Sequence, residues 1–222
     1  MNFLDVYVIS HKRDTLSYCL KCLAAQTYAN IACVYIDIES ADATNDIVQN
    51  TTAPFFLRVD DDMYLHKKAV AYINEVCRDN KHSPMLAFKL YDTALASSSW
   101  CGTVKAYNTD VCRNYVFTDN GDWSLDHNFV TYLRQQNCKY YEDASVVGLH
   151  AHLAKADTEV YLKKLKNKYP SVERWYGTYK FDKRVTGYNG SPSKQYEAHT
   201  RLIEKDNLMR GTDFNLFMRN NK

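Results

Sequence analysis

Phe55-Phe56-Leu57-Arg58-Val59-Asp60-Asp61-Asp62-Met63-Tyr64 is a short apolar run that ends abruptly in three consecutive acids. Pro54 introduces it, and its apolar character on both alternating faces is that of a strand buried in a parallel sheet. An unpaired carboxylate inside such a sheet is very costly. The acids are therefore expected at the strand's carboxyl end, the rim where open α/β sheets bind their ligands. There a hard divalent cation would relieve their repulsion and could hold a diphosphate. An acidic turn before a helix starting near Lys67 is the plainer reading, and the rest of the chain has to choose.

Upstream, Leu4 to Ile9 has the length of a strand, and Ser10-His11-Lys12-Arg13-Asp14 forms the loop at its carboxyl end. Leu16, Cys19, Leu20 and Leu23 recur at helical spacing, and that helix closes near Gln26-Thr27-Tyr28-Ala29-Asn30. Cys33 to Ile38, rich in β-branched and aromatic side chains, is a second strand, followed by a short helix around Asn45 to Gln49. Downstream of the acids come a helix from about Lys67 to Cys77 and an apolar strand from Met85 to Leu90. This alternation predicts an α/β fold with a mostly parallel, doubly wound sheet and its loops on one rim.

The 222 residues suffice for one substantial core or a compact domain with a C-terminal appendage. The net charge of +2 implies no partner by itself, but its distribution does more. Residues 151–222 hold fifteen Lys and Arg against eight Asp and Glu, a charge of +7, which leaves −5 for residues 1–150. The seven cysteines are odd in number and scattered over apolar positions, as expected of free buried thiols in a reducing compartment. Cys19-x-x-Cys22 lies in a helical pattern without a second pair, which argues against a zinc site or redox motif. Asp5 interrupts the N-terminal apolar run, so no signal-peptide pattern is present. No apolar run approaches the ~20 residues of a membrane span. A cytoplasmic protein without a transmembrane segment is expected. The chain has no internal repeat and no low-complexity segment.

Four landmarks in order carry a resemblance. Ile9-Ser10-His11-Lys12-Arg13, Leu23 to Asn30 with its Gln26-Thr27-Tyr28 turn, Tyr35-Ile36-Asp37 with Ser40, Asp42 and Thr44, and the acidic triplet together resemble the opening of family 2 glycosyltransferases. The resemblance implies a GT-A, nucleotide-diphospho-sugar transferase fold over residues 1–154. Residues 155–222 would then be a basic, aromatic-rich helical and loop extension packed on that core. Ser10, His11, Arg13, Asp37 and Glu39 would hold the nucleoside of a nucleotide sugar, with a UDP-sugar the expected donor, and Asp60 and Asp61 would meet its diphosphate. The triplet falls at the family's Asp-x-Asp motif, with Asp62 first and Asp60 second as ligands of Mn2+ or Mg2+. The register also allows Asp61 as the principal ligand. Ile38 and Glu39 depart from the family's Asp-Asp-Gly pattern, which leaves the nucleotide open.

A second stretch, Gly121-Asp122-Trp123-Ser124-Leu125-Asp126-His127-Asn128-Phe129, is a turn before a helix with Leu125, Phe129, Val130 and Leu133 at helical spacing. Asp126 thus lies in a first helical turn, where an acid also serves as a dipole partner. By resemblance this is the acid that deprotonates the acceptor, giving single displacement with inversion; Asp122 is the reserve. Ser145 to His152 is a strand that places His150 and His152 on one face by period-two alternation. The resemblance offers His150, or else His152, as the histidine that completes the metal shell. Trp100, Lys105 and Trp123, with Asp122, are candidates for the acceptor and donor-sugar pocket. The tryptophans stack on sugars or fill the core with equal plausibility.

Beyond Lys155 a lysine-rich helix stopped at Pro170 precedes aromatic-rich loops around Trp175 and Tyr188. A solvated face is one reading. The other is an anionic acceptor, since Lys and Arg bind phosphate and interleaved aromatics stack unpaired bases. Transfer to a hydroxymethylated base in DNA, as some bacteriophage enzymes perform, would need such a surface and a flipped-out base. The small size and Asn-, Lys- and Tyr-rich composition are in keeping with a bacteriophage origin. The classes left open are a transferase acting on a glycan or small molecule, one acting on DNA, and a non-catalytic sugar-nucleotide or carbohydrate-binding module.

Overall fold

The computed structural model of the chain describes residues 2–10, 15–27, 31–36, 40–92, 97–118 and 125–151. They form strands β1 (Leu4–Ser10), β2 (Ile31–Ile36), β3 (Phe55–Asp60), β4 (Met63–Leu65), β5 (Met85–Asp92), β6 (Ser97–Asn108) and β7 (Tyr141–His150). The helices are α1 (Leu16–Ala24), α2 (Ser40–Asn50), α3 (Ala69–Asp79), α4 (Thr109–Cys112) and α5 (Leu125–Gln135). All seven strands join one sheet in the order β2-β1-β3-β6-β5-β7-β4. β1 pairs in parallel with β2 and β3, and β5 with β7, while β6 runs antiparallel to β3 and β5 and β4 antiparallel to β7. Five strands therefore point one way, and the expected α/β class with a mostly parallel sheet flanked by helices is what the chain adopts. The proposed C-terminal extension and the loop segments bearing His11, Arg13, Asp37, Glu39, Asp122, Trp123 and His152 lie outside the described residues.

Period-two alternation sends the strand side chains into two separate cores. Leu4, Val6 and Val8 of β1 and Phe55, Leu57 and Val59 of β3 pack with Cys19, Cys22 and Leu23 of α1 and Val70, Tyr72, Ile73 and Cys77 of α3. Tyr7, Ile9 and Phe56 face the other way and pack with Ile47 and Val48 of α2 and Phe129, Val130 and Leu133 of α5. Among the described residues Cys19, Cys22, Cys77 and Cys112 are buried free thiols, whereas Cys138 is exposed. Burial pushes the Cys22 thiol up to about 12, which removes the thiolate that zinc binding or redox exchange needs.

The acidic run differs from its plainest reading in one respect. After Asp60 the chain turns through Asp61 and Asp62 and forms β4 before α3 begins at Ala69. Three residues are too short to announce a strand by periodicity, and β4 exists only through its distant partner β7. The Gln-Thr-Tyr landmark also gains a physical meaning. The Gln26 side-chain amide donates to the Cys22 and His66 carbonyls and accepts from the Val70 N–H, clasping the end of α1 to the start of α3. His66 completes that junction by accepting the Lys68 N–H at its Nδ1.

Burial, reinforced by Lys67 and Lys68, lowers the His66 pKa to about 4. The unfolded chain therefore takes up this proton first. The contribution of a neutral His66 is complete above the unfolded value near 6.5 and is lost as pH falls towards 4, by up to about 3 kcal/mol. Urea unfolding at pH 7 and pH 4.5 should show a smaller loss of stability on acidification for His66→Asn than for the unsubstituted chain. Equal losses would remove His66 from the acid sensitivity.

Candidate active site

The triplet is divided three ways. Asp60 ends β3 on the face shared with Phe56 and Arg58, and its Oδ1 accepts from Arg58 Nη2 at 3.2 Å. Asp61 is buried, with 1% of its surface exposed, and its Oδ2 accepts from Ser10 Oγ at 2.8 Å. The parallel register that sets Ile9 beside Asp60 brings these two residues together. Ser10 is fully buried and its hydroxyl supports Asp61. Asp62 turns towards β7, where its Oδ2 lies 3.5 Å from His150 Nε2. The Ala151 N–H also donates to the Asp62 carbonyl at 2.7 Å.

This meeting of Asp62 and His150 depends on a glycine. β4 and β7 pair Met63 with His150, Tyr64 with Leu149 and Leu65 with Gly148. A Cβ at Gly148 would lie 2.6 Å from the Tyr64 carbonyl oxygen and 3.0 Å from Leu65 Cα, both backbone atoms. Only hydrogen at this position lets the two strands approach and seat the histidine over the acid. Carboxylate oxygens suit Mg2+ or Mn2+, and a pair of protein donors leaves coordination positions for phosphate oxygens. Among the described residues no group of three or more His, Cys, Asp or Glu is placed to hold a metal ion. Asp60, expected as the second ligand, has its Oδ1 against Arg58 Nη2.

Next to the divided triplet is a charged cluster on the face of β3 and β6. Arg58 and Lys105 are register partners, as are Phe56 and Tyr107. The Phe56 and Tyr107 rings stack at 5.1 Å with 16° between their planes. Over them lies Asp126, in the first turn of α5 where the sequence places it. Its Oδ2 accepts from Lys105 Nζ at 2.6 Å, and its Oδ1 accepts from the Tyr107 hydroxyl. Arg58 Nη1 lies 3.8 Å from the same Oδ1. Burial opposes the Asp126 charge, but Lys105 and Arg58 and the two hydrogen bonds outweigh it and hold the carboxyl well below the usual range. Burial likewise opposes the Arg58 charge, and Asp60 and Asp126 more than restore it.

Lys105, expected in the substrate pocket, thus spends its ammonium on Asp126, while the Trp100 side chain lies outside the described residues. Sequence reasoning missed Arg58 and Tyr107. An arginine inside an apolar strand is the signal for the first, since such a charge must be met by carboxylates. Tyr107 carries only a weak one, standing two residues from Lys105 and so on the same strand face.

No family model and no curated protein matches the chain. Among solved structures it is similar to S. aureus TarS, at 15% identity over 97% of this chain and 55% of that one, with a TM-score of 0.48. It is similar to residues 1–349 of TarS in complex with UDP, at 14% identity over 91% of both chains and a TM-score of 0.46. A third similarity is to CMP:2-keto-3-deoxy-manno-octonic acid synthetase complexed with CTP, at 12% identity over 74% of this chain and 97% of that one, TM-score 0.45.

Gly148→Ala should cost on the order of 1–3 kcal/mol, as over-packing of a tight core contact does. Because the clash is with backbone, β4 and Asp62 must move with it. Urea denaturation reads the loss, and a variant as stable as the parent would show that the strands separate freely.

Proposed function

We propose that the chain is a glycosyltransferase that moves a sugar from a nucleotide-diphosphate sugar to an acceptor hydroxyl with inversion. The observation that carries this reading is the assembly of two sets at the carboxyl end of β3, Asp62 with His150 and Asp126 with Lys105, Tyr107 and Arg58. They supply what the reaction needs: a seat for the charged leaving group and a fixed carboxylate for the acceptor. The resemblance of the N-terminal landmarks to family 2 glycosyltransferases supports it.

In this reading the acceptor oxygen bonds to the anomeric carbon as the bond from that carbon to the diphosphate oxygen breaks. The electron pair leaves with the diphosphate, and the acceptor proton passes to Asp126. A carboxylate held so far below its usual range is a weak base, so Asp126 orients the hydroxyl early and takes the proton late, once the oxygen has become acidic. Asp62 and His150 would hold Mn2+ or Mg2+, with Asp60 next to them, and such an ion would offset the charge gathering on the leaving group. The segments bearing His11, Arg13, Asp37 and Glu39 are assigned to the nucleoside, and Trp100, Trp123 and Asp122 to the sugar and acceptor. A glycan or small molecule is the first acceptor class. The fifteen Lys and Arg against eight acids in residues 151–222 favour DNA as the second.

Turnover should be measured with a panel of nucleotide sugars and Mn2+, offering simple sugars, unmodified DNA and hydroxymethylated DNA. Asp126→Asn is expected to lower kcat by roughly 10²–10⁴-fold, and Asp62→Ala to weaken both metal dependence and donor use. Turnover on modified DNA alone would select the second acceptor class. An Asp126→Asn protein with full activity would remove this residue from the base role, and no turnover with any donor would leave a binding module.

A further inference from the structure

Two cations face each other across the β3–β6 ladder, since Arg58 and Lys105 are directly paired in register. Like charges so placed repel, and the fold tolerates them because the Asp126 carboxylate lies over both. Each of its oxygens is held differently. Oδ1 accepts from the Tyr107 hydroxyl and lies 3.8 Å from Arg58. Tyr107 has little freedom to move, being 1% exposed, stacked on Phe56 and touched edge-on by Phe117 at 6.1 Å. Among the described residues Oδ2 accepts from Lys105 alone, and the Asp126 side chain keeps 29% of its surface exposed. A carboxylate oxygen has two lone pairs; Oδ1 turns its own towards buried Tyr107 and Arg58, so among the described residues Oδ2 is the oxygen on the side away from that buried ring.

We infer that Arg58, Lys105 and Tyr107 are positioning residues that seat Asp126 and present its Oδ2 as the oxygen that takes the acceptor proton. The inference rests on the reading of Asp126 as the base. Tyr107 sets which oxygen faces the acceptor, and Lys105 sets how readily that oxygen accepts a proton. The charged and titratable groups around Asp126 are Arg58 on β3 with Asp60 beyond it, Lys105 and Tyr107 on β6, and the adjacent His127 on α5. Asp119 and Asp122 precede it outside the described residues.

The seat is tested without substrate by 13C NMR titration of the Asp126 carboxyl in the unsubstituted chain, Lys105→Met, Lys105→Arg and Tyr107→Phe. Removing the Lys105 charge should raise the Asp126 midpoint by about 1–3 pH units, while Lys105→Arg leaves it near its original position. The acid limb of kcat/KM against pH should move with the midpoint in Lys105→Met. Tyr107→Phe should lower kcat about tenfold with the donor KM unchanged. An Asp126 midpoint that stays put in Lys105→Met overturns the inference. So does a fall in Tm with neither profile moved, the mark of a structural contact alone. Absence of turnover in the unsubstituted chain overturns the transferase reading and the role of Oδ2 with it, whereas the titration still decides whether the seat exists.

Discussion

A guanidinium inside an apolar strand has to be met by carboxylates, and Arg58 draws two. Asp60 comes from two residues further along the same strand and Asp126 from a helix far away in the chain. Burying one unpaired charge is more costly than a single hydrogen bond repays. The position of α5 over the sheet is therefore fixed by charge as well as by the Phe129, Val130 and Leu133 face that it buries. Lys105 makes this constraint stricter, because a second cation opposite Arg58 leaves the cluster unbalanced whenever Asp126 is elsewhere.

The acidic triplet shows how strand geometry can give adjacent, identical side chains different work. Asp60 still obeys the alternation of β3 and joins the Arg58 face. Asp61 falls inward against Ser10, where the β1–β3 register supplies a donor. Asp62, already in the turn, reaches β7 and His150. One backbone reversal thus replaces a patch of like charge, which would repel itself, with three separately compensated sites.

Much of this was legible in the sequence. The apolar run ending in acids, the alternation of strands and helices, and the place of Asp126 in a first helical turn all follow from periodicity and the cost of buried charge. The resemblance offers His150, or else His152, for a metal shell, and of what that would require the structure shows His150 Nε2 3.5 Å from Asp62. What could not be read depends on pairing between distant segments. β4 is three residues long and has no period of its own. The opposition of Arg58 and Lys105 exists only once β6 docks antiparallel to β3 in one register. Tyr107 looked like any aromatic strand residue, because its hydroxyl finds a purpose only under Asp126. The bond from Ser10 to Asp61 is illegible for the same reason, its two ends being 51 positions apart.

The two cores on opposite faces of the sheet make the halves of the site separately heritable. Asp62 and His150 lean on the layer that contains α1, α3 and β4, whereas Asp126 leans on the layer of α2 and α5. Drift in the first layer would shift the Asp62–His150 pair and spare the seat of Asp126, and drift in the second would do the reverse. A lineage built on this sheet can remodel one side while the geometry of the other is inherited unchanged.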